Sequence, residues 1–399
     1  MCASNSNPQD FIDLKIRIFP NDASVAGYPV EITLGGQREF QRGRVSADIL
    51  PWVSSGVPAE DGQRLFDTLL ADQVLRDAWA ASRESSSRRR IRLRIDADAA
   101  ELHALPWELL QQGSVMLSAH TDTPFSRYLP VELDWSDPVK ERPIRVLVVI
   151  SDPDDLQAKY DLAPVDVDLE RKSLESALST VGKDELQADF LDAPATPERL
   201  EEALRQGMHG GAAGYHVLHF VGHGAFSRRR ARSALYMQDE QGRAKRMLDD
   251  ELVSMLARQG VQPRLVFLSA CQSATRSQAD AFLGLSPKLV SAGVPAVVSM
   301  QDVVTIETAR KFGATFYRRL LEHDQVDLAV NEARSTLLTA GRVDAAVPVL
   351  FMRMRDGVLF ALQEEVEEKV QVSLTGGEGG IKIGGDFSVS GRDSISGKG

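Results

Sequence analysis

The chain has 399 residues, of which 43% are apolar, and its formal net charge is −11 at pH 7. This length fits two modest domains or one large one with additions, and the acidic balance argues against a nucleic-acid-binding protein. With two cysteines, no secretory signal in residues 1–10 and no apolar run near the ~20 residues that span a bilayer, we predict a cytoplasmic protein without a disulfide framework or a membrane span.

Residues 1–140 carry a mixture of strand and helix patterns. Apolar and polar residues alternate over 12–18, 30–34 and 91–95, which predicts three half-buried strands. Apolar residues recur at helical spacing from Glu60 to Ala81, which predicts one amphipathic helix. We therefore expect a smaller, noncatalytic N-terminal α/β subdomain over residues 1–140.

Residues 141–362 alternate between apolar strands and helices. The strands are predicted over 144–150, 186–191, 217–222, 266–271 and 294–300, and 349–352 is expected to close the sheet. The helices are predicted over 165–181, from 197, over 249–256, before 292, and over 307–323 and 326–340. This alternation predicts an α/β domain with a mainly parallel sheet between layers of helices.

Residues 363–399 change in composition to an acidic linker followed by a Gly/Ser-rich tail. Such a tail is too poor in apolar residues to fold alone, so disorder is one interpretation. The other is a self-assembly motif, in which alternating apolar residues pair with copies of themselves; these are Ile381, Ile383, Phe387, Val389 and Ile395.

Two apolar strands end in residues that can carry chemistry. The first runs into Gly222-His223-Gly224, and the second ends at Cys271, a separation of 271 − 223 = 48 positions. That separation allows a crossover helix, so the strands are expected to be parallel neighbours with both side chains at the carboxyl edge of the sheet. We predict that Cys271 is a nucleophile activated by His223, with the backbone N–H groups of Gly224 and Cys271 as the oxyanion hole.

These residues and their neighbours also have structural interpretations. A lone cysteine on an apolar strand is usually inert core. His216 and His219 are interpreted as structural, because they point to opposite faces of a strand and lack companion ligands, so no metal is expected. A serine nucleophile lacks its G-x-S-x-G elbow, and no glycine-rich phosphate loop is present, so no cofactor is expected.

The two strand ends, 219–224 and 268–273, resemble those of the CHAT family, clan CD cysteine peptidases related to caspases and separases. Residues 92–95, 105–110, 292–298, 316–317 and 333–334 are also similar to that family. The resemblance implies a caspase-like fold, His223 as general base and acid, and Cys271 as nucleophile. Asp302 matches a separase residue that lines the primary specificity pocket, which implies cleavage after a basic residue; a solvated loop aspartate is the other interpretation. If Asp302 does so, the loop 228–232 is a candidate self-cleavage site.

The resemblance further implies a protein substrate and a role in bacterial antiphage defence or regulated cell death, for example through a gasdermin-like effector. A sensor or effector would bind through the N-terminal subdomain or the tail, and the tail is compatible with a homo-oligomer. Two alternatives remain: a noncatalytic signalling scaffold that works through the tail, and another thiol enzyme such as an acyl transferase.

Overall fold

The computed structural model describes residues 11–130, 137–179, 182–207, 214–227, 229–230, 232–270, 276–302 and 304–361, with side chains left aside at 270, 276–283 and 306. The strands are β1 (Ile12–Ile18), β2 (Gly27–Leu34), β3 (Arg38–Glu39), β4 (Gly43–Ser46), β5 (Arg89–Ile95), β6 (Gln111–Gln112), β7 (Val115–Met116), β8 (Phe125–Tyr128), β9 (Ile144–Ile150), β10 (Leu186–Phe190), β11 (Val217–Gly222), β12 (Gly224–Ser227), β13 (Arg232–Gln238), β14 (Ala244–Leu248), β15 (Leu265–Ala270), β16 (Ala296–Met300) and β17 (Pro348–Met352).

The α-helices alternate with the strands in the second half of the chain. They are α1 (Pro58–Leu69), α2 (Gln73–Ser85), α3 (Leu156–Tyr160), α4 (Val167–Ser179), α5 (Pro197–Gln206), α6 (Asp249–Ala257), α7 (Arg276–Ser291), α8 (Ile306–His323) and α9 (Val326–Thr339). Short 3₁₀ stretches occur at Ala47–Ile49, Ala97–Ala104, Trp107–Leu109 and Leu117–Ala119.

One large sheet runs through the described residues. Its strand order is β10-β9-β11-β15-β16-β17-β8-β5-β1-β2-β3, and β4 also pairs with β2. The neighbouring strands from β10 to β16 in this order are parallel, and so are those from β17 to β1. These two parallel groups meet where β17 pairs antiparallel with β16. This confirms the predicted α/β class with a mainly parallel sheet.

Helices cover both faces of the sheet. Along β9, Ile144, Val146 and Val148 face a core built with α4, α8 and α9, whereas Leu147 and Val149 face a second core built with α5, α6 and α7. A strand that is buried on both faces is necessarily apolar throughout, which is why β9 shows no alternation with polar residues. A third core joins β1, β2 and β5 to α1 and α2.

The helix predicted from Glu60 to Ala81 is wrong as a single element, because α1 ends at Leu69 and α2 begins at Gln73. Asp72 starts the second helix: its Oδ1 accepts the N–H of Val74 at 2.8 Å. Only the first amides of a helix lack an acceptor within the helix, so an aspartate that caps one of them marks the start of a new helix. Apolar residues fall at helical spacing on both sides of the break, so periodicity alone did not reveal it.

β17 does not close the sheet as predicted. It lies inside the sheet, antiparallel to β16 and parallel to β8, with Phe351 opposite Arg127. Strands from residues 11–128 and from residues 144–352 thereby belong to one sheet. The described residues, which run from 11 to 361 with the gaps given above, belong to one compact unit, and the predicted tail, residues 363–399, lies outside the described residues.

A separate antiparallel sheet follows β11. It has the order β12-β13-β14 and begins one residue after His223. β12 and the hairpin it forms with β13 are not among the predicted elements, because Gly224–Ser227 is too short to give a strand pattern. The hairpin positions the chain immediately after the candidate histidine.

Candidate active site

The two predicted catalytic residues follow neighbouring parallel strands. β11 pairs with β15 in register, with Gly222 opposite Ala270. His223 is the residue after Gly222, and Cys271, the residue after Ala270 in the sequence, lies outside the described residues. The last residues before the two candidates are thus opposite each other at the carboxyl edge of the sheet, the edge at which open α/β sheets bind ligands.

The imidazole of His223 is fully buried and is held by a backbone carbonyl. Its Nε2 lies 2.8 Å from the carbonyl oxygen of Ala163, and its own carbonyl accepts the N–H of Tyr236 at 2.9 Å. Because a carbonyl oxygen can only accept, this hydrogen bond assigns the proton of the neutral ring to Nε2 and the lone pair to Nδ1. In this tautomer Nδ1 is the ring nitrogen that can accept a proton.

Asp152, two residues beyond the end of β9, fixes the loop around His223 and is not among the residues predicted from sequence. Its Oδ1 accepts the N–H of Val165 at 2.8 Å, two residues after Ala163. Burial raises the pKa of Asp152, and the hydrogen bond from Val165 and the charge of His223 oppose that rise. One sequence signal was present: an acidic residue just after a buried strand, at the same edge as His223.

Two glycines flank His223 for different reasons. Gly224, a predicted oxyanion donor, begins β12 and pairs with Leu235. A Cβ at Gly222 would lie 2.8 Å from Cζ of Phe220 and 3.2 Å from the carbonyl oxygen of Ser151, closer than ordinary contacts. A side chain at 222 would therefore crowd Phe220 and Ser151, and since the φ of Gly222 is not positive, close packing rather than a left-handed backbone favours glycine here.

Asp302, the predicted specificity residue, is exposed in a bend after β16. The preceding residue, Gln301, is held firmly: its N–H donates to Val347 O at 3.0 Å and its Nε2 donates to Ala346 O at 2.9 Å. Its Oε1 accepts a hydrogen bond from Nη2 of Arg127 at 2.9 Å. The segment that carries Asp302 is thus anchored, and the role of Asp302 stays a prediction.

The anchor of Gln301 is itself part of a buried ion pair. Arg127 in β8 is 1% exposed and Glu108 in the 3₁₀ stretch Trp107–Leu109 is 0% exposed. Nε of Arg127 donates to Oε1 of Glu108 at 2.9 Å, and Nη2 donates to Oε2 at 2.6 Å. Such a bidentate pair has the geometry of a strong charge-assisted contact. Residues from the first 130 positions therefore support the candidate edge of the sheet.

The two other histidines of the β11 region have structural partners. Nδ1 of His216 accepts the N–H of Arg145 at 3.0 Å, and burial lowers the pKa of His216 to about 4. His219 lies on the ring of Phe267 with 4.4 Å between centroids, and its Nδ1 lies 2.8 Å from the hydroxyl of Tyr317. Burial lowers the pKa of His219 to about 3. Both rings are held neutral by the core.

Neither a metal-ligand cluster nor a membrane-spanning helix occurs in the part of the chain that the structure describes. Over the ranges given above, no group of three or more His, Cys, Asp or Glu side chains is arranged to hold a metal ion. Among the helices that those ranges contain, none is both long enough and apolar enough to cross a bilayer.

The model of the CHAT domain family matches residues 59–367, more than half of the sequence. No curated protein sequence matches.

Two protein complexes are among the similar solved structures. One is the separase–securin complex of Saccharomyces cerevisiae, at 14% identity and a TM-score of 0.39, with 70% of this chain and 17% of the matched chain covered. Another is the complex of the RgpB pro- and mature domains of Porphyromonas gingivalis, at 10% identity and a TM-score of 0.44, with coverages of 79% and 78%. This chain therefore spans less than a fifth of the matched chain in the separase complex. By the extent of the family-model match, the chain belongs to the CHAT domain family.

Proposed function

We propose that the chain is a cysteine endopeptidase that uses His223 and Cys271 as a dyad. The observation that carries the proposal is the register of β11 and β15, in which Gly222 is opposite Ala270, together with the carbonyl of Ala163 on Nε2 of His223. A histidine held in this tautomer is suited to take a proton from a thiol that follows the neighbouring strand.

The proposed reaction has two halves. The Sγ–H proton of Cys271 moves to Nδ1 of His223, and the thiolate attacks the carbonyl carbon of the scissile peptide bond. The N–H groups of Gly224 and Cys271 stabilise the oxyanion, and the imidazolium protonates the departing amine as the C–N bond breaks. Water, deprotonated by the same imidazole, then attacks the thioester and releases the carboxylic acid and the free thiol.

The substrate and the biological setting are supported by the family resemblance. Asp302 is proposed to favour a basic residue before the cut, since its carboxylate is exposed on an anchored segment at the same edge of the sheet. The substrate is proposed to be a cytoplasmic protein of bacterial antiphage defence or regulated cell death, such as a gasdermin-like effector. A sensor or effector partner, bound through the N-terminal strands or residues 363–399, would control the activity.

The test is a peptide-library digestion with and without the proteins of neighbouring genes. The wild type and a Cys2→Ser variant should cut the same peptides, because Cys2 has no part in the mechanism. Cys271→Ala and His223→Ala should both lose cleavage. Cleavage that persists in Cys271→Ala would overturn the proposal, and acyl transfer to an added amine without hydrolysis would favour the transferase alternative.

A further inference from the structure

A small cavity lies between the sheet and two helices near the candidate edge. Its floor is formed by His219 and Val221 of β11 and by Phe267 and Ser269 of β15, and its walls come from α4 and α8. Its volume is about 20 Å³, which leaves room for about one water molecule. No substrate side chain fits in this space as it stands.

The lining of the cavity includes two charged side chains. Glu170 lies in the first turn of α4 and Arg310 lies near the start of α8, and both helices begin at the carboxyl edge of the sheet. Val221 and His223 are two residues apart, so by strand alternation the imidazole follows on the same face as the cavity. The carbonyl of Ala163 on His223 Nε2 belongs to the loop that leads into α4, which agrees with this placement.

Arg310 is poorly satisfied at this position. Its Nη2 is 3.8 Å from Oε1 of Glu170, and among the described residues its buried Nε and Nη2 atoms find no hydrogen-bond partner. By comparison, the Arg127–Glu108 ion pair has two nitrogen–oxygen hydrogen bonds, of 2.9 and 2.6 Å. The Glu170–Arg310 pair therefore has little to hold it, since an ion pair at this distance contributes little.

The two partners differ in freedom. The side chain of Glu170 is 11% exposed and that of Arg310 is 29% exposed, so the carboxylate is the fixed group and the longer arginine can turn out to solvent. Burial raises the pKa of Glu170 and the charge of Arg310 opposes that rise, so a cation beside this carboxylate is favourable. The carboxylate of Glu170 would repel an acidic ligand.

We propose that Arg310 occupies a pocket for a basic substrate side chain and that Glu170 is the carboxylate that pairs with the arginine or lysine that displaces it. The inference rests on the proposed peptidase function, since it deepens the specificity of that site. The same part is predicted from sequence and proposed above for Asp302, and the Asp302→Asn and Glu170→Gln variants below decide between the two carboxylates. Leu174, Val221 and Phe267 supply apolar walls for the aliphatic stem of the entering side chain.

The experiment measures binding rather than cleavage, so its result does not depend on turnover. The full chain with Cys271→Ala is titrated with p-aminobenzamidine, an aromatic cation whose fluorescence rises in an apolar site. Arg310→Ala should bind the probe roughly tenfold more tightly than the parent, a gain of about 1.4 kcal/mol. Arg318→Ala, which removes an arginine from the same helix that is 3.9 Å from Glu322, should leave the affinity unchanged.

The carboxylate is identified by a second substitution in the Arg310→Ala chain. Glu170→Gln should abolish the gain, whereas Asp302→Asn should keep it. Arg310→Gln, which retains most of the stem, guards against a folding defect and should also bind more tightly than the parent. The proposal is overturned if neither Arg310 variant gains affinity, or if the gain survives Glu170→Gln.

The same variants separate this inference from the proposed function. With Cys271 intact, Arg310→Ala should cleave peptides with arginine before the cut faster than the wild type does. If no variant cleaves any peptide but the probe still binds as expected, the peptidase proposal fails and the basic pocket stands. If peptides are cleaved but Arg310→Ala changes neither binding nor preference, the pocket assignment fails alone.

Discussion

Replacing Arg127 with methionine should lower the free energy of unfolding by about 3–5 kcal/mol, because it leaves the carboxylate of Glu108 buried and unpaired. The side chain of Glu108 is 0% exposed, so water cannot take the place of the guanidinium. Arg127 also donates to the carbonyl oxygens of His103 and Leu105 at 2.7 and 3.1 Å, and to Oε1 of Gln301 at 2.9 Å. These acceptors lose their donor as well.

A second substitution separates the orphaned charge from the other losses. In Arg127→Met with Glu108→Leu the buried carboxylate is gone, and the cost should fall to about 1–3 kcal/mol, the penalty for the three acceptors left without a donor. The coupling free energy between the two substitutions should therefore be at least about 2 kcal/mol. The exposed pair Arg205–Glu202 is the matched control, and its double-mutant cycle should give less than about 1 kcal/mol.

The assay is urea denaturation of the wild type, both single variants and the double variant, followed by tryptophan fluorescence. Additive losses in the Arg127–Glu108 cycle would refute the reasoning, because they would mean that neither charge depends on the other. Equal coupling in the buried and exposed cycles would refute the claim that burial sets the magnitude.

Three further predictions follow from local geometry. Burial raises the pKa of Asp324 to about 6, above its ordinary 3.8. The folded chain therefore holds that proton more tightly than the unfolded chain does, and it loses stability as the pH rises from about 4 to about 6. Asp324→Asn should raise the melting temperature at about pH 7.5, which corresponds to a stability gain of roughly 3 kcal/mol at most, and it should have no such effect at about pH 3.5. A Cβ at Gly62 would overlap a backbone carbonyl oxygen, so Gly62→Ala should lower the free energy of unfolding by about 1–3 kcal/mol. A Cβ at Gly313 would meet open space, so Gly313→Ala should raise the free energy of unfolding by about 0.5–1 kcal/mol. Chemical denaturation measures both changes. In the peptidase assay Asp152→Asn should lower kcat about tenfold with little change in KM, since it removes the charge near His223; an unchanged kcat would contradict this.

Much of the sheet could be predicted from sequence because its strands are buried on both faces. The apolar runs at 144–150, 217–222 and 266–271 are recognisable in the sequence, and the strands that precede His223 and Cys271 are indeed parallel neighbours. Hydrophobic pattern identifies a strand, but it does not identify the strand beside it. That is why β17 was expected at an edge and lies instead between β16 and β8.

The surroundings of the candidate site were less predictable. The acceptor on His223 is the backbone carbonyl of Ala163, and any residue type supplies such a group. The carboxylate of Asp152 accepts the N–H of Val165 in the loop before α4, and the path of that loop depends on how α4 packs. Glu170 and Arg310 come together only because α4 and α8 cover the same face of the sheet, a fact that no local pattern records.

The most direct measurement of the central claim is the alkylation rate of Cys271 relative to Cys2 by iodoacetamide, read by mass spectrometry. A thiol activated by a neighbouring imidazole carries more thiolate than an unassisted one, and the thiolate is the form that reacts. We predict that Cys271 is labelled at least about tenfold faster than Cys2 in the wild type and that His223→Ala removes this advantage. Equal rates for the two cysteines, unaffected by His223→Ala, would contradict it.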